Sequence, residues 1–282
     1  MKAYQIDLSG KVAVVTGGAG VLCAEFSKAL ASCGASVAIL NRTESKAEAL
    51  AEEITSSGGM ALGIDADVLK KESLEHARQI IQNKFGGCDI LINGAGGNHP
   101  SGTTSKEYFE LDDLNQTELT SFFDLDEEGI RYVFDINFMG TLLATQVFAK
   151  DMVKKQGCSI INISSMNAFT PLTKIPSYSA AKASVSNFTQ WLAVHFSKAG
   201  VRVNAIAPGF FLTDQNRNLL VDKNEELTER AAKIISQTPM SRFGEKEELV
   251  GTLLYLSDPR ASGFVTGIVI PVDGGFSAYS GV

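Results

Sequence analysis

Within the stretch SSMNAFTPLTKIPSYSAAK, residues 164 to 182, a hydroxyl (Ser165), a phenol (Tyr178) and an amine (Lys182) fall close together. Helical geometry after Pro176 places Tyr178 and Lys182, four residues apart, on one face and within reach of each other. A phenol titrates near about 10 when unperturbed, and an adjacent ammonium favours the phenolate. The expectation is therefore that Lys182 draws Tyr178 towards the range where it can exchange a proton with an alcohol, as a general acid/base. Ser165 follows the apolar run Ser159 to Ile163, which reads as a strand delivering that hydroxyl to a sheet edge, where it could hydrogen-bond a substrate oxygen. A Tyr-x-x-x-Lys pair taken alone is common on solvated helix faces. Its meaning depends on a dinucleotide site elsewhere in the chain.

The chain of 282 residues, 44% hydrophobic and 20% charged, is ordinary for a soluble globular protein and long enough for one large or two small cores. A net charge of −7 without a Lys/Arg block argues against nucleic acid as a partner. The acidity is local: between Ser101 and Glu128 nine acidic residues face the single Lys106, which more than accounts for the charge of the whole chain. Cys23, Cys33, Cys88 and Cys158 show neither C-x-x-C spacing nor clustering with the three histidines, so reduced thiols and no metal site are expected. The N-terminus carries no signal-peptide pattern and no apolar run approaches the length of a bilayer span. A cytoplasmic protein without a membrane partner follows by default.

Strand-like and helix-like segments alternate along the chain. Strands are predicted at Lys11–Thr16, Ser36–Leu40, Met60–Ile64, Asp89–Asn93, Ser159–Ile163, Arg202–Ile206 and Gly267–Pro271. Helices are predicted at Ala24–Ser32, from an N-cap at Thr43 to Thr55, at Ser73–Phe85, from about Asp126 to Lys155, at Tyr178–Lys198 and at Glu245–Leu256. Seven apolar strands joined by helices predict an α/β fold: one Rossmann-type, doubly wound domain over residues 1–282, with a seven-stranded parallel sheet and binding groups at the carboxyl ends of its strands. An acidic insertion around 98–128 exceeds a tight connection and mixes Tyr108, Phe109, Phe122 and Phe123 with acids, which could make a short helix beside the active-site mouth. The first strand ends in Thr16-Gly17-Gly18-Ala19-Gly20-Val21-Leu22-Cys23, a glycine-rich turn before a helix, where backbone N–H groups can approach phosphates. A tight turn without a ligand is the alternative.

These motifs together resemble the short-chain dehydrogenase/reductase family over nearly the whole chain: Thr16-Gly17 after the first strand, Asn93-Gly94-Ala95-Gly96 after the fourth, Ser165 with Tyr178 and Lys182, and Pro208-Gly209 after the sixth. The resemblance implies Tyr178 as acid/base, Lys182 on the nicotinamide ribose and lowering the tyrosine pKa, Ser165 orienting the reacting oxygen, and Asn137 holding a water of the proton relay. It also implies a cofactor site built from Thr16, Gly17, Gly18, Gly20, Val21, Leu22, Asn41, Arg42, Asp67, Val68, Asn93, Ala95, Gly96, Tyr178, Lys182, Pro208, Gly209 and Thr213. The sequence departs from the family pattern where Val21 and Cys23 replace the second and third glycines of the turn. Either the cofactor sits slightly displaced, or Gly17, Gly18 and Gly20 take over the task. At the end of the second strand, where an acid would reject a 2′-phosphate, stand Asn41 and Arg42, which favours NADP over NAD while leaving NAD possible.

The stretches 93–100 and 164–176 and the tail 274–282 resemble a subgroup described as D-mannonate oxidoreductases or fructuronate reductases, which implies a hexuronate-type sugar acid as the small-molecule substrate. His99, Asn167 and Lys174, after strand ends, and Arg217, in the stretch after Pro208-Gly209, are candidates for binding its hydroxyls and carboxylate. Another sugar, sugar acid or oxoacyl compound would suit the same hydride chemistry. A reading of a different class is a non-catalytic dinucleotide-binding regulator, supported only by the altered glycine turn. Family likeness further implies a homotetramer, formed through the helices around 126–155 and 178–198; Phe188, Trp191, Leu192 and Phe196 would suit that contact or an ordinary core.

Overall fold

The computed structural model describes residues 4–213, 217–221, 223 and 226–281. Strands β1 (Val12–Thr16), β2 (Ser36–Asn41) and β3 (Met60–Asp65) alternate with helices α1 (Val21–Ser32), α2 (Glu44–Ser56) and α3 (Lys71–Phe85). After β4 (Ile90–Asn93) come α4 (Glu127–Phe134), α5 (Gly140–Met152), β5 (Cys158–Ile163), α6 (Pro176–His195) and β6 (Val201–Pro208). The chain closes with α7 (Arg217–Leu220), α8 (Glu229–Ser236), α9 (Val250–Ser257), α10 (Pro259–Ser262) and β7 (Val269–Val272). All seven predicted strands are present, in the order β3-β2-β1-β4-β5-β6-β7, and every pairing is parallel. This is a doubly wound α/β sheet whose order reverses between β1 and β4, so a crevice opens above the carboxyl ends of those two strands.

The central strands read as unbroken apolar runs because both of their faces are covered: every residue of β1, β4, β5 and β6 is buried. Alternate residues feed opposite cores. Val14, Leu40, Leu91 and Ile160 pack with Leu74, Ile81, Phe148 and Met152 of α3 and α5. Val15, Ile39, Ile92 and Ile161 pack with Phe26, Leu30, Ile54 and Leu253 of α1, α2 and α9. Truncating Phe26 or Phe148, both fully buried, to alanine would cost about 3–5 kcal/mol.

Three expectations need correction. Thr43 occupies the N-cap position of α2, but its hydroxyl caps nothing. The long helix predicted from Asp126 to Lys155 runs without a gap from Glu127 to Met152, but it carries a π-turn at Asp135–Met139, where the Gly140 N–H reaches the Asp135 carbonyl. The cause is local: the Asn137 carboxamide donates to the Val133 carbonyl (2.8 Å), competing with the helical ladder, and Thr141 Oγ1 donates to the Asn137 carbonyl (2.8 Å). Before α4 begins at Glu127, the insertion forms short 3₁₀ helices and no α-helix. It consists of 3₁₀ turns at Pro100–Gly102, Leu111–Asn115 and Phe122–Asp124, held by side-chain caps and by Lys106 bonded to Glu110 and Asp113. Its aromatic residues stay largely outside: Tyr108 is 77% and Phe122 67% exposed.

Candidate active site

The turn after β1 is shaped by what its glycines lack. Gly17 adopts φ 61°, and a Cβ there would lie 2.9 Å from the Ala95 Cα; at Gly18 it would lie 2.7 Å from the Val15 carbonyl oxygen. Both positions exclude a side chain. Gly20 is the N-cap of α1, and Val21, Leu22 and Cys23 place the first helical turn, whose N–H groups have no carbonyl in the helix to meet, at the wall of a cleft of about 890 Å³. That turn suits a pyrophosphate. Cys23 fits where the family pattern has glycine because its neighbour gives way: a Cβ on Gly94 would lie 2.2 Å from the Cys23 Sγ. The contact between the turn and the loop after β4 therefore has room for a side chain on one side only. Burial pushes the Cys23 thiol up to about 12. Thr16 does not line the cleft; its Oγ1 accepts from the N–H groups of Gly94 (3.1 Å) and Ala95 (3.3 Å), tying the ends of β1 and β4 together.

At one end of the cleft lie Asn41, Arg42, Thr43, Lys46, Ala66 and Val68. The Asn41 carboxamide donates to the Thr43 carbonyl (3.1 Å). Arg42 and Lys46 are both exposed there. Asp67 turns away from the cleft: its carboxylate accepts from the Leu69 N–H (3.0 Å) and stands 3.8 Å from the Lys70 Nζ. Lys46, on the first turn of α2, was not foreseen.

Ser165, Tyr178 and Lys182 come together at the other end. Ser165 leaves β5 in extended conformation and accepts from the Asn167 N–H (3.3 Å). Pro176 opens α6 at its first turn, so Tyr178 and Lys182 share a face as the spacing predicted. Lys182 Nζ lies 5.6 Å from the Tyr178 ring centroid and donates to the Ile163 carbonyl (2.8 Å). The expected lowering of the tyrosine by the lysine is not what the fold does. Burial raises the Tyr178 pKa, the Ser165 hydroxyl donating to it pulls the other way, and burial lowers Lys182 to about 8. Desolvation of each group outweighs their mutual influence.

Asn137 is fully buried beside this group. Its carboxamide donates to the Gly97 carbonyl (2.7 Å) and accepts from the Gly97 N–H (3.2 Å). Gly96 passes between Asn137 and Lys182: a Cβ on it would meet Asn137 Oδ1 at 2.5 Å and Lys182 Nζ at 3.2 Å. Ala95, Gly96, Pro208 and Gly209 line the cleft, and at Gly209 a side chain would strike Asp273 at 2.6 Å. Gly18 and Asn93 lie beneath the cleft instead; Asn93 bonds Thr145 (3.0 Å) and Asn162 (2.8 Å) inside the sheet. Thr213 is off the cleft, and its carbonyl accepts from the Arg217 N–H (2.9 Å). Gly94 and Gly97 of the loop after β4, Tyr132 of α4, Ile136 of the π-turn, and Ile163 and Ser164 at the end of β5 also line the cleft without having been foreseen.

None of the four substrate candidates lines the cleft. His99 is half-buried against Tyr132, with ring centroids 5.3 Å apart. Asn167 is buried, and its Oδ1 has no hydrogen-bond partner among the described residues. Lys174 is exposed at φ 72° and its carbonyl accepts from the Thr104 N–H (2.8 Å). Arg217 is exposed at the start of α7.

Comparison with known proteins agrees with this geometry. Residues 11–224 match the family model of the short chain dehydrogenases. The chain is 57% identical to an oxidoreductase of Haemophilus influenzae whose own function is uncharacterised, over 98% of this chain and 96% of that one. It is 56% identical to the uncharacterised oxidoreductase UxuB of Bacillus subtilis, over 98% of both. A crystal structure of an H. influenzae protein, provisionally named a D-mannonate oxidoreductase and solved with bound NAD, superposes with a TM-score of 0.94 at 56% identity, covering 98% of both chains.

Proposed function

The chain belongs to the short-chain dehydrogenase family, NAD(P)-dependent oxidoreductases of CH–OH groups, and from that premise we propose that it interconverts a keto sugar acid and its hydroxy acid, D-fructuronate and D-mannonate. The observation that carries the reading is the meeting of Ser165, Tyr178 and Lys182 at one end of a cleft whose other end runs past a side-chain-free phosphate cradle. The 56% identity to the provisionally named D-mannonate oxidoreductase supports the choice of substrate.

Gly17, Gly20 and the first turn of α1 would hold the pyrophosphate; Asn41, Arg42 and Val68 the adenosine; and Ala95, Gly96, Pro208 and Gly209 the nicotinamide end, with Lys182 at the ribose. When bound, the nicotinamide ring supplies or accepts the hydride. In the reductive direction the Ser165 hydroxyl orients the carbonyl oxygen, and the Tyr178 hydroxyl gives it a proton as negative charge develops there. Lys182, held near 8 by burial, titrates where it can pass a proton back to Tyr178. Asn137 holds Gly97 in place and is the proposed anchor for a relay water. Arg42 and Lys46, with no carboxylate among the residues lining the cleft, favour NADP; the NAD in the H. influenzae structure keeps NAD as the second choice. Assembly as a cytoplasmic homotetramer is part of the same reading: on α6, Trp191 is 56% and Val194 77% exposed, while Leu192 belongs to the core and Phe188 and Phe196 pack against it.

The test is oxidation of NADPH and NADH by the purified protein with D-fructuronate, set against neutral keto sugars and oxoacyl thioesters. Turnover confined to the keto acid is the expected result. Turnover only with neutral or oxoacyl compounds would keep the hydride chemistry and remove the sugar acid. Dinucleotide binding with no turnover of any compound would favour a regulator.

A further inference from the structure

One wall of the cleft comes from α4 and the π-turn that follows it. Tyr132 and Ile136 both line that wall, about one turn apart on the same face of the helix. A turn further on, position 140 has no side chain and Val68 takes the space: a Cβ on Gly140 would lie 2.9 Å from Val68 Cγ2. Val68 and Ala66 line the end of the cleft that holds Asn41 and Arg42. Asn137 looks elsewhere, bonding Gly97 and standing beside Gly96, the glycine that approaches Lys182. Successive helical residues differ in direction by about 100°, so Ile136 and Tyr132 face the Val68 side of the cleft while Asn137 faces the catalytic side.

Two aromatic side chains line the cleft among the described residues, Tyr178 at the catalytic end and Tyr132 on this wall. The half-buried Tyr132 ring is held from behind. His99 packs on it with ring centroids 5.3 Å apart and planes tilted by 59°. The imidazole is itself fixed: the Ser101 N–H donates to His99 Nδ1 (3.3 Å), and the Ser101 hydroxyl lies 2.6 Å from the same nitrogen. Gly129, on the preceding turn of α4, leaves room for this pair, since a Cβ there would lie 2.5 Å from Ser101 Oγ and 3.2 Å from His99 Nδ1. Tyr132 therefore has little side-chain freedom left to lose when a ligand arrives.

We propose that the ring of Tyr132 packs against the adenosine of the bound dinucleotide, beside Ala66, Val68 and Ile136, with His99 as its positioning residue. This rests on the placement of the dinucleotide given above and is independent of the choice of sugar acid. The side chains of Ala66, Val68 and Ile136 offer a purine only apolar surface, and the Asp67 carboxylate is spent on the Leu69 N–H. An aromatic ring supplies what that pocket otherwise lacks, a π-face for the base, while the phenol keeps a polar tip for water.

The experiment titrates the wild type, Tyr132→Ala, Tyr132→Phe and His99→Ala with ADP by calorimetry and with NADH and NADPH by fluorescence, and follows folding by thermal melting. ADP carries the adenosine and pyrophosphate without the nicotinamide or its ribose. Tyr132→Ala is expected to weaken ADP and the dinucleotides by the same factor, about five- to a hundredfold, the range for a base resting on an aromatic side chain. Tyr132→Phe, which keeps the ring, should bind all three like the wild type, and His99→Ala should show a smaller loss that is again equal for ADP and the dinucleotides. Tyr132→Leu, which keeps volume without a π-face, replaces Tyr132→Ala if the alanine variant does not fold. A loss confined to the dinucleotides, or no loss, would overturn the role of Tyr132 at the adenosine, and a loss in Tyr132→Phe equal to that in Tyr132→Ala would overturn packing by the ring. A wild type that binds the dinucleotides but not ADP would also overturn it. A wild type that binds none of the three would overturn the placement of the dinucleotide as well.

Discussion

The two loops at the top of β1 and β4 answer different demands. The Gly17–Cys23 turn is set by steric exclusion: glycines at 17, 18 and 94 stand where any side chain would strike backbone or a thiol. The 98–126 segment after β4 is set by polar bonding instead, with capped 3₁₀ turns, a Lys106 shared between two acids, and aromatic side chains left in solvent. The first region, the proposed cofactor cradle, tolerates almost no added volume. The second is a rim whose shape can change without disturbing the sheet, which is where divergence in substrate would be expected.

Four changes probe that contrast, in decreasing order of expected effect. Tyr178→Phe removes the proposed acid/base at the rigid end and should lower kcat by about 10²–10⁴-fold, with NAD(P)H affinity and melting temperature close to wild type. A loss of cofactor binding of similar size would show that Tyr178 serves binding, not chemistry.

Lys182 comes next. In the unfolded chain it titrates at its ordinary 10.5, but in the fold at about 8, so between these values the unfolded chain holds a proton that the folded chain has released. Stability from this group therefore rises with pH across that window, by of order 3 kcal/mol in all, and the folded state bears the full burden below pH 8. Denaturant titrations of wild type and Lys182→Met between pH 8 and 9 should differ in slope, with the variant flatter. Parallel curves would mean that Lys182 is not held down by burial.

Gly94→Ala should destabilise by about 1–3 kcal/mol by driving a methyl into the Cys23 sulfur. Cys23→Gly in the same chain should recover most of it, a coupling that a double-mutant cycle would measure; additive losses would refute the exchange of side chains across this contact. Smallest is Glu107→Gln at the rim, where the 2.6 Å ion pair to Lys233 joins the insertion to α8. Both side chains meet solvent, so denaturation should register little or no change. A larger loss would make the rim as rigid as the cradle.

What could be read before folding follows the same division. β1, β4 and β5 were legible because strands covered on both faces are continuous apolar runs, and Tyr178 with Lys182 because helical spacing alone puts them on one face. The π-turn at Asp135–Met139 escaped because it depends on the Asn137 carboxamide reaching Val133 and Gly97, a choice that periodicity does not encode. The turning of Asp67 away from the cleft, the absence of His99, Asn167, Lys174 and Arg217 from the cleft wall, and the presence of Tyr132 in it escaped for the same reason.

By itself, then, the order of residues determined the alternation of strands and helices, the parallel sheet, the glycine turn and the hydroxyl, phenol and amine of the site, since each depends on neighbours a few positions apart. Only the tertiary structure decided that Cys23 could stand opposite Gly94, that burial and not mutual charge governs Tyr178 and Lys182, and that Ser101 and Gly129 hold His99. Those outcomes depend on volume, desolvation and hydrogen-bond geometry between segments far apart in the chain, which exist only once the sheet has brought them together.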